Sequence, residues 1–264
     1  MLQSSPQCII TFNGRAYDLA TATDISLHVG APESPKAFGL PPAVFEPYTY
    51  GDTTYSVELG APLQCEIVTI APHANGTHTE CVGHLAGRGY TVNTLMKDLV
   101  DEVQLVTVNP TLVDGDTVVM LEDLEAAWTQ RDTSTLVLRT LPNGDWKRSA
   151  EWVIANAPYI HVDAMDLIVR SGIRHLITDV PTVDRLEDQG VLASHHRFWQ
   201  WPYEPRLDCT LTELVYVPSS IADGRYLVLF NVAPLHSDAA PSRPMLVSSE
   251  QRTASSEQRV ANSE

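Results

Sequence analysis

The chain is short of positive charge. Of its 264 residues 33 are acidic and 17 basic, giving a formal net charge of −16. A surface of that sign repels phosphate backbones and anionic bilayers, which argues against nucleic acid and membrane surfaces as partners. Lysine is nearly missing: Lys36, Lys97 and Lys147 stand against arginine at every other basic position. Salt-adapted proteins share that bias, and GC-rich coding produces it too. Cysteine is sparse. Cys8, Cys65, Cys81 and Cys209 form no C-x-x-C pair, which excludes a disulfide framework and a zinc ribbon. No apolar run reaches the roughly 18 residues of a spanning helix. Residues 1–14 carry no basic residue ahead of their short apolar run, against a signal peptide. The expected compartment is the cytoplasm.

What is present suits one large domain. Hydrophobic residues make up 44% of the chain, enough for a substantial core, and no mid-chain stretch has linker composition. We expect one domain over 1–245 and, where the composition turns to Ser, Glu, Gln and Arg, a disordered tail over 246–264. Strands are expected at 8–12, 25–29, 65–72, 103–108, 117–120, 135–140, 173–180, 210–217 and 226–233, the last two joined by a turn at Ala222-Asp223-Gly224. Helical spacing covers 121–130 and 161–171, the latter stopped by Gly172. That helix–Gly–strand unit predicts one α/β crossover in a fold otherwise dominated by strands. Residues 31–52 carry five prolines and predict a long ordered excursion, of the kind that caps a site.

The chemistry is concentrated in Asn75-Gly76-Thr77-His78-Thr79-Glu80-Cys81-Val82-Gly83-His84. Two imidazoles and a carboxylate within seven positions can converge where a chain turns, and that donor set suits zinc, and also manganese or iron. Gly76 permits a close backbone approach and Thr77 can bond the turn. His73, just upstream, adds a further ligand candidate. A hydrogen-bonded polar loop without metal is the plain alternative.

The string NGTHTECVGH resembles the signature of the putative cyclase family, which includes bacterial kynurenine formamidase and isatin hydrolase and is written His-x-Gly-Thr-His-x-Asp-x-Pro-x-His. Other blocks resemble the family in order: Asp24-Ile25-Ser26-Leu27, the strand ending Leu138-Arg139-Thr140, the segment from Gly172 to Asp184, Ser194-His195, and Thr212-Glu213-Leu214. The resemblance implies an α/β fold, a swivelling β/β/α domain, strand-rich and single. It implies metal ligation by His78 and Glu80, with the carboxylate bridging if two ions bind. His195 and Glu213 complete the set from distant parts of the chain, and His84 serves as proton donor and acceptor. It also implies homodimers or homotetramers. Two departures stand out. The family's first histidine falls at Ala74, and His73 lies one position early, where an extended backbone would point it to the opposite face. Glu80 replaces an aspartate.

These departures leave three arrangements: one metal held by His78, Glu80, His195 and Glu213, which the surviving residues favour; a rearranged two-metal site recruiting His73; or a site without catalysis. The implied activity is a metal-dependent hydrolase of an amide, formamide or small cyclic amide, with zinc the first candidate and manganese the second. The substrate is a small molecule, aromatic if Trp199 and Trp201 line its pocket rather than pack. A lyase or cyclase on the same metal and a non-catalytic binding protein are the alternatives. His196 competes with His195 for the late histidine position. Cys81 lacks the partners of a thiol nucleophile, and Asp179 and Asp184 read as turn-bonding acids.

Overall fold

The run TLVLRT over Thr135–Thr140 carries apolar Leu136, Val137 and Leu138 on both faces at its centre, as suits a strand covered from two sides, and all six of its residues are buried. It lies at the middle of a nine-stranded sheet. In the computed structural model, which describes residues 8–30, 34–153 and 156–249, the strands of that sheet in chain order are β1 (Thr23–Asp24), β2 (His78–Glu80), β3 (Val100–Val108), β4 (Thr135–Thr140), β5 (His175–Thr178), β6 (Thr210–Glu213), β7 (Gly224–Leu229), β8 (Ala239–Pro241) and β9 (Met245–Ser248). Their spatial order is β8-β2-β6-β5-β4-β3-β7-β9-β1. The central four, β3 to β6, are parallel, and every flanking pair is antiparallel.

Parallel neighbours need crossovers, and helices supply them. The helices are α1 (Gly83–Ala86), α2 (Leu121–Ala127), α3 (Val162–Arg170) and α4 (Ala193–Trp199), with a further single turn at Val92–Leu95. Of these, α2 lies between β3 and β4, α3 between β4 and β5, and α4 between β5 and β6. The sequence predicts one crossover; the fold uses three. Even-numbered residues of β3 and β4, Val106, Val108, Leu136 and Leu138, pack against Leu124, Met165, Ile168 and Phe198 of this helical layer. The odd-numbered Val103, Leu105 and Val137 join a second core with Val228, Phe230 and Leu246. Each such fully buried aliphatic or aromatic side chain contributes about 1.5–3 kcal/mol. The sheet curls so far that Ser26, just past β1, bridges Val215, just past β6. The result is an α/β, strand-rich single domain, in line with the expected swivelling β/β/α architecture.

Several local expectations are corrected. The segments at 210–217 and 226–233 are not a hairpin: β6 pairs with β5 and β2, whereas β7 pairs with β3 and β9. The run at 65–72, rich in β-branched residues, forms only Glu66–Thr69. That strand pairs with Val44–Pro47 and is exposed along its whole length. Within the predicted 25–29 strand only an isolated bridge at Ser26 forms. The tail does not begin at 246, because β9 buries Leu246 and Val247 in the sheet. Residues 250–264 of that expectation, and 31–33 of the proline-rich excursion, lie outside the described residues. No helix among the described residues is long and apolar enough to cross a membrane.

Candidate metal centre

The site sits at the carboxyl end of the parallel strands, where open α/β sheets place their ligands. His78 and Glu80 are two apart on β2, so they share one face, and the register sets His78 opposite Glu213 at the end of β6. Thr79 points the other way and bonds the Thr212 hydroxyl at 2.7 Å. Thr77 locks the approach: its hydroxyl donates to the Leu214 carbonyl and accepts from the Leu27 amide at 2.7 Å. Gly76 has φ +151°, and a Cβ there would lie 2.9 Å from the His28 carbonyl oxygen. Only glycine lets the chain pass.

His78 donates from Nδ1 to the Gly76 carbonyl at 3.1 Å, which turns Nε2 inward, 3.5 Å from Glu213 Oε2. The other Glu213 oxygen is held by the Val183 amide at 2.8 Å. His195 comes from α4. Its Nδ1 donates to Asp184 at 2.6 Å, and Nε2 lies 3.1 Å from Glu80 Oε1. Its competitor His196 faces away, with Nδ1 on the Trp201 carbonyl. Asp184 also accepts the Ser194 and His195 amides. It is therefore more than a turn-bonding acid: it caps α4 and orients its histidine. Asp179 does play a structural part, bonding Thr140 and the buried Lys147.

His73 reaches the cluster. Residues 71–75 form a turn in which the Ala74 and Asn75 amides bond the Ala71 carbonyl, so the extended-strand argument against His73 does not hold. Its Nδ1 lies 3.1 Å from Glu80 Oε2 and its Nε2 lies 2.9 Å from Asp238. Ala74 is instead buried beside Leu27 and Leu214. His84, half-buried on α1, has Nδ1 3.4 Å from the same Asp238 oxygen and 3.9 Å from Glu80.

Asp238 is the site residue that sequence reasoning missed. No local motif marks it. It arrives because β8 pairs with β2, setting Ala239 opposite Glu80.

The electrostatics follow from burial. Glu80 is fully buried, which by itself would raise its carboxyl; the imidazoles of His84, His195 and His73 around it outweigh that and hold it well below the usual carboxylate range. Burial would lower His195, but hydrogen bonds to Asp184 and Glu80 carry it well above the ordinary imidazole value. His73 is likewise raised, to about 10, its bonds to Asp238 and Glu80 overriding burial. Hydrogen bonds from His73 and His84 hold Asp238 far below its usual value. Burial pushes the Cys81 thiol up to about 11, so it stays protonated and is no nucleophile.

The donor set fits a divalent cation. His78 Nε2 is buried without a hydrogen-bond partner among the described residues, an arrangement that costs free energy unless something else satisfies it, and Glu80 Oε2 beside it meets the rings of His73 at 3.1 Å and His84 at 3.9 Å. Ligand atoms of His73, His78 and Glu80 lie within 4.8 Å of one another, as do those of Glu80, His84 and His195, and of His73, His84 and Asp238. Glu80 thus turns one oxygen toward His73 and the other toward His195. Trp199 packs against the His195 ring at 5.6 Å and donates to the Cys209 carbonyl. It serves packing, as the fully buried side chain it is.

Fold and site together define an α/β protein with a buried His/Glu cluster suited to a divalent cation. The model of the Putative cyclase family matches residues 18–185, more than half of the chain, and the protein belongs to that family. It is 27% identical over 204 residues to a kynurenine formamidase of Bacillus cereus, covering 74% of this chain and 88% of that protein. A structure described as a predicted metal-dependent hydrolase from Bacillus stearothermophilus superposes with TM-score 0.61 at 16% identity, over 86% of this chain and 97% of that one. An isatin hydrolase bound to the product analogue thioisatinate superposes with TM-score 0.62 at 14% identity, over 87% and 92% of the two chains.

Proposed function

We propose that the protein hydrolyses the carbon–nitrogen bond of an amide, formamide or small cyclic amide with the help of a divalent cation, zinc first and manganese second. The observation that carries this reading is the orphaned buried atom His78 Nε2, which converges with ligand atoms of His73 and Glu80, beside the partly exposed His84. The names of the formamidase and isatin hydrolase relatives support the substrate class. In this proposal His78, Glu80, His195, Glu213 and His73 hold the cation, with Glu80 shared if two ions bind. The location of His73 supports the arrangement that recruits it, and removes the weight that Ala74 lent to a non-catalytic protein. A bound cation supplies a water of lowered pKa and polarises the scissile carbonyl.

The chain's own residues do the rest. Asp184 keeps the His195 Nδ1 proton in place and so leaves Nε2 as a donor atom. The Gly76 carbonyl does the same for His78. His84, steadied through Nδ1 by Asp238, takes the proton released by the attacking water and returns it to the leaving nitrogen. Burial of Glu80 and Glu213 excludes bulk water from the inner side of the site.

The test is His84→Ala. It should nearly abolish turnover of formanilide while metal content, read by elemental analysis, stays intact; equal loss of both would make His84 a ligand. Hydrolysis in oxygen-18 water places solvent oxygen in the acid product, and its absence would favour a lyase. We also read the exposed apolar side chains of the hairpin excursion, among them Phe45, Tyr50, Leu59 and Ile67, as the contact between subunits of a homodimer or homotetramer. Sedimentation of a Phe45→Glu/Ile67→Glu variant at the wild-type mass would refute that.

A further inference from the structure

We propose that Asp238 is a positioning residue for His73: it holds the ring proton on Nε2, so that this histidine ligates the cation through Nδ1. The inference rests on the metal reading above and concerns how the chain makes good the alanine at position 74.

His73 is placed by a turn closed twice over. The Ala74 and Asn75 amides donate to the Ala71 carbonyl. The Asn75 side chain accepts the Ala71 amide at 2.7 Å and donates to the Pro41 carbonyl at 3.0 Å. The ring leaves that turn between two carboxylates. Nδ1 lies 3.1 Å from the buried Glu80 Oε2, and Nε2 lies 2.9 Å from Asp238 Oδ2 on the more exposed side. Ligand atoms of His73, His78 and Glu80 converge within 4.8 Å, and Nδ1 is the His73 nitrogen beside Glu80.

Asp238 is fixed independently of the ring. Its carbonyl accepts the Cys81 amide at 3.0 Å, and Ala239 next to it pairs opposite Glu80. A Cβ on Gly83 would lie 3.1 Å from Asp238 Cβ, so the start of α1 closes against it. The Ser237 hydroxyl donates to Oδ1 at 3.1 Å, which leaves Oδ2 turned to His73 and, at 3.4 Å, to His84. The shorter contact goes to the ligand candidate. A fixed, charged acceptor on one ring nitrogen keeps the proton there and leaves the lone pair on the other. Asp184 does this for His195, and the Gly76 carbonyl for His78, in both cases on Nδ1. His73 is turned the other way round. It presents the nitrogen nearer the backbone, which suits a residue displaced along the chain.

Nitrogen-15 NMR of the zinc-loaded protein reads the rings directly, with the His73 signals identified by their loss in His73→Ala. His73 should carry its proton on Nε2 with Nδ1 bound, and His78 and His195 the reverse. Zinc on His73 Nε2 would make Asp238 a ligand in its own right and overturns the proposal. Competition against a chelator then closes a double-mutant cycle. Asp238→Ala should weaken zinc binding about 10–100-fold in the wild-type background, and by no more than about twofold once His73 is alanine. Asp238→Asn, which keeps one accepting oxygen without the charge, should lose less. Equal losses in both backgrounds, or wild-type affinity in Asp238→Ala, overturn the assignment. Neither readout needs turnover. Coupling between the two residues in a protein that hydrolyses no amide keeps the role of Asp238 and removes the hydrolase reading; its absence in an active hydrolase does the opposite.

Discussion

Asp184→Asn separates a carboxylate that merely ends a helix from one that aims a metal ligand. Asp184 is 5% exposed. One of its oxygens accepts the Ser194 amide at 2.7 Å; the other accepts the His195 amide at 3.1 Å and the His195 ring at 2.6 Å. Asparagine has the same shape but one accepting oxygen. Whichever side that oxygen serves, the amide nitrogen confronts a donor on the other. The charge-assisted bond to the ring is worth about 1.5–3 kcal/mol, and loss of an outer partner of a ligating histidine typically costs about 10–100-fold in metal affinity, or about 1.4–2.7 kcal/mol. Because a ligand stabilises in proportion to RT ln(1 + [L]/Kd), the stabilisation added by saturating cation should shrink by the same amount. Urea midpoints with and without metal, together with a competition titration against a chelator, measure both. Wild-type metal affinity alongside a lower metal-free stability would make Asp184 a cap alone and refute the reasoning. The pH dependence has a definite sign. Burial alone would raise the Asp184 carboxyl, but the hydrogen bond and charge of His195 and the Ser194 and His195 amides outweigh it, so its folded value is depressed. Its contribution is present above the ordinary carboxylate value and is lost as pH falls from there through the depressed folded value.

Three other outcomes follow from the same geometry. Lys147→Met strands the Asp179 charge, since Lys147 donates to it at 2.7 Å with both side chains buried; the cost should be about 3–5 kcal/mol by urea denaturation, largely regained in Lys147→Met/Asp179→Leu. Gly76→Ala places a Cβ 2.9 Å from the His28 carbonyl oxygen at φ +151°; it should cost roughly 1–3 kcal/mol and weaken metal binding, and a thermal midpoint equal to wild type would contradict the close approach. Without metal, His73 and His195 are held protonated near neutral pH, so cation binding should release roughly one to two protons per ion, measured by calorimetry in buffers of different ionisation enthalpy. For the same reason the chelated protein should lose stability as pH rises toward about 10, because the stabilisation from a raised His73 is full below its unfolded value and fades through its folded one.

The sequence by itself determined the chemistry of the inner motif. His78, Glu80 and His84 were legible as donors from residue type and clustering, although the strand His78–Glu80 that sets the first two on one face, and the contact that admits only glycine at Gly76, came with the structure. The central strand over Thr135–Thr140 and the helix stopped by Gly172 were equally legible, because both depend on local periodicity and a local stop. Only the tertiary structure decided the rest. A β-branched run at 66–69 looks like core but lies on an exposed hairpin, since propensity does not say which faces will be covered. His73 looked misplaced by one residue until the turn at 71–75 replaced the extended chain that the argument assumed. Asp184 was marked only as the end of a family-like segment, and Asp238 carries no signal in its own neighbourhood. They meet the histidines because a helix start and a strand pairing bring distant segments together, and such contacts exist only in the assembled sheet.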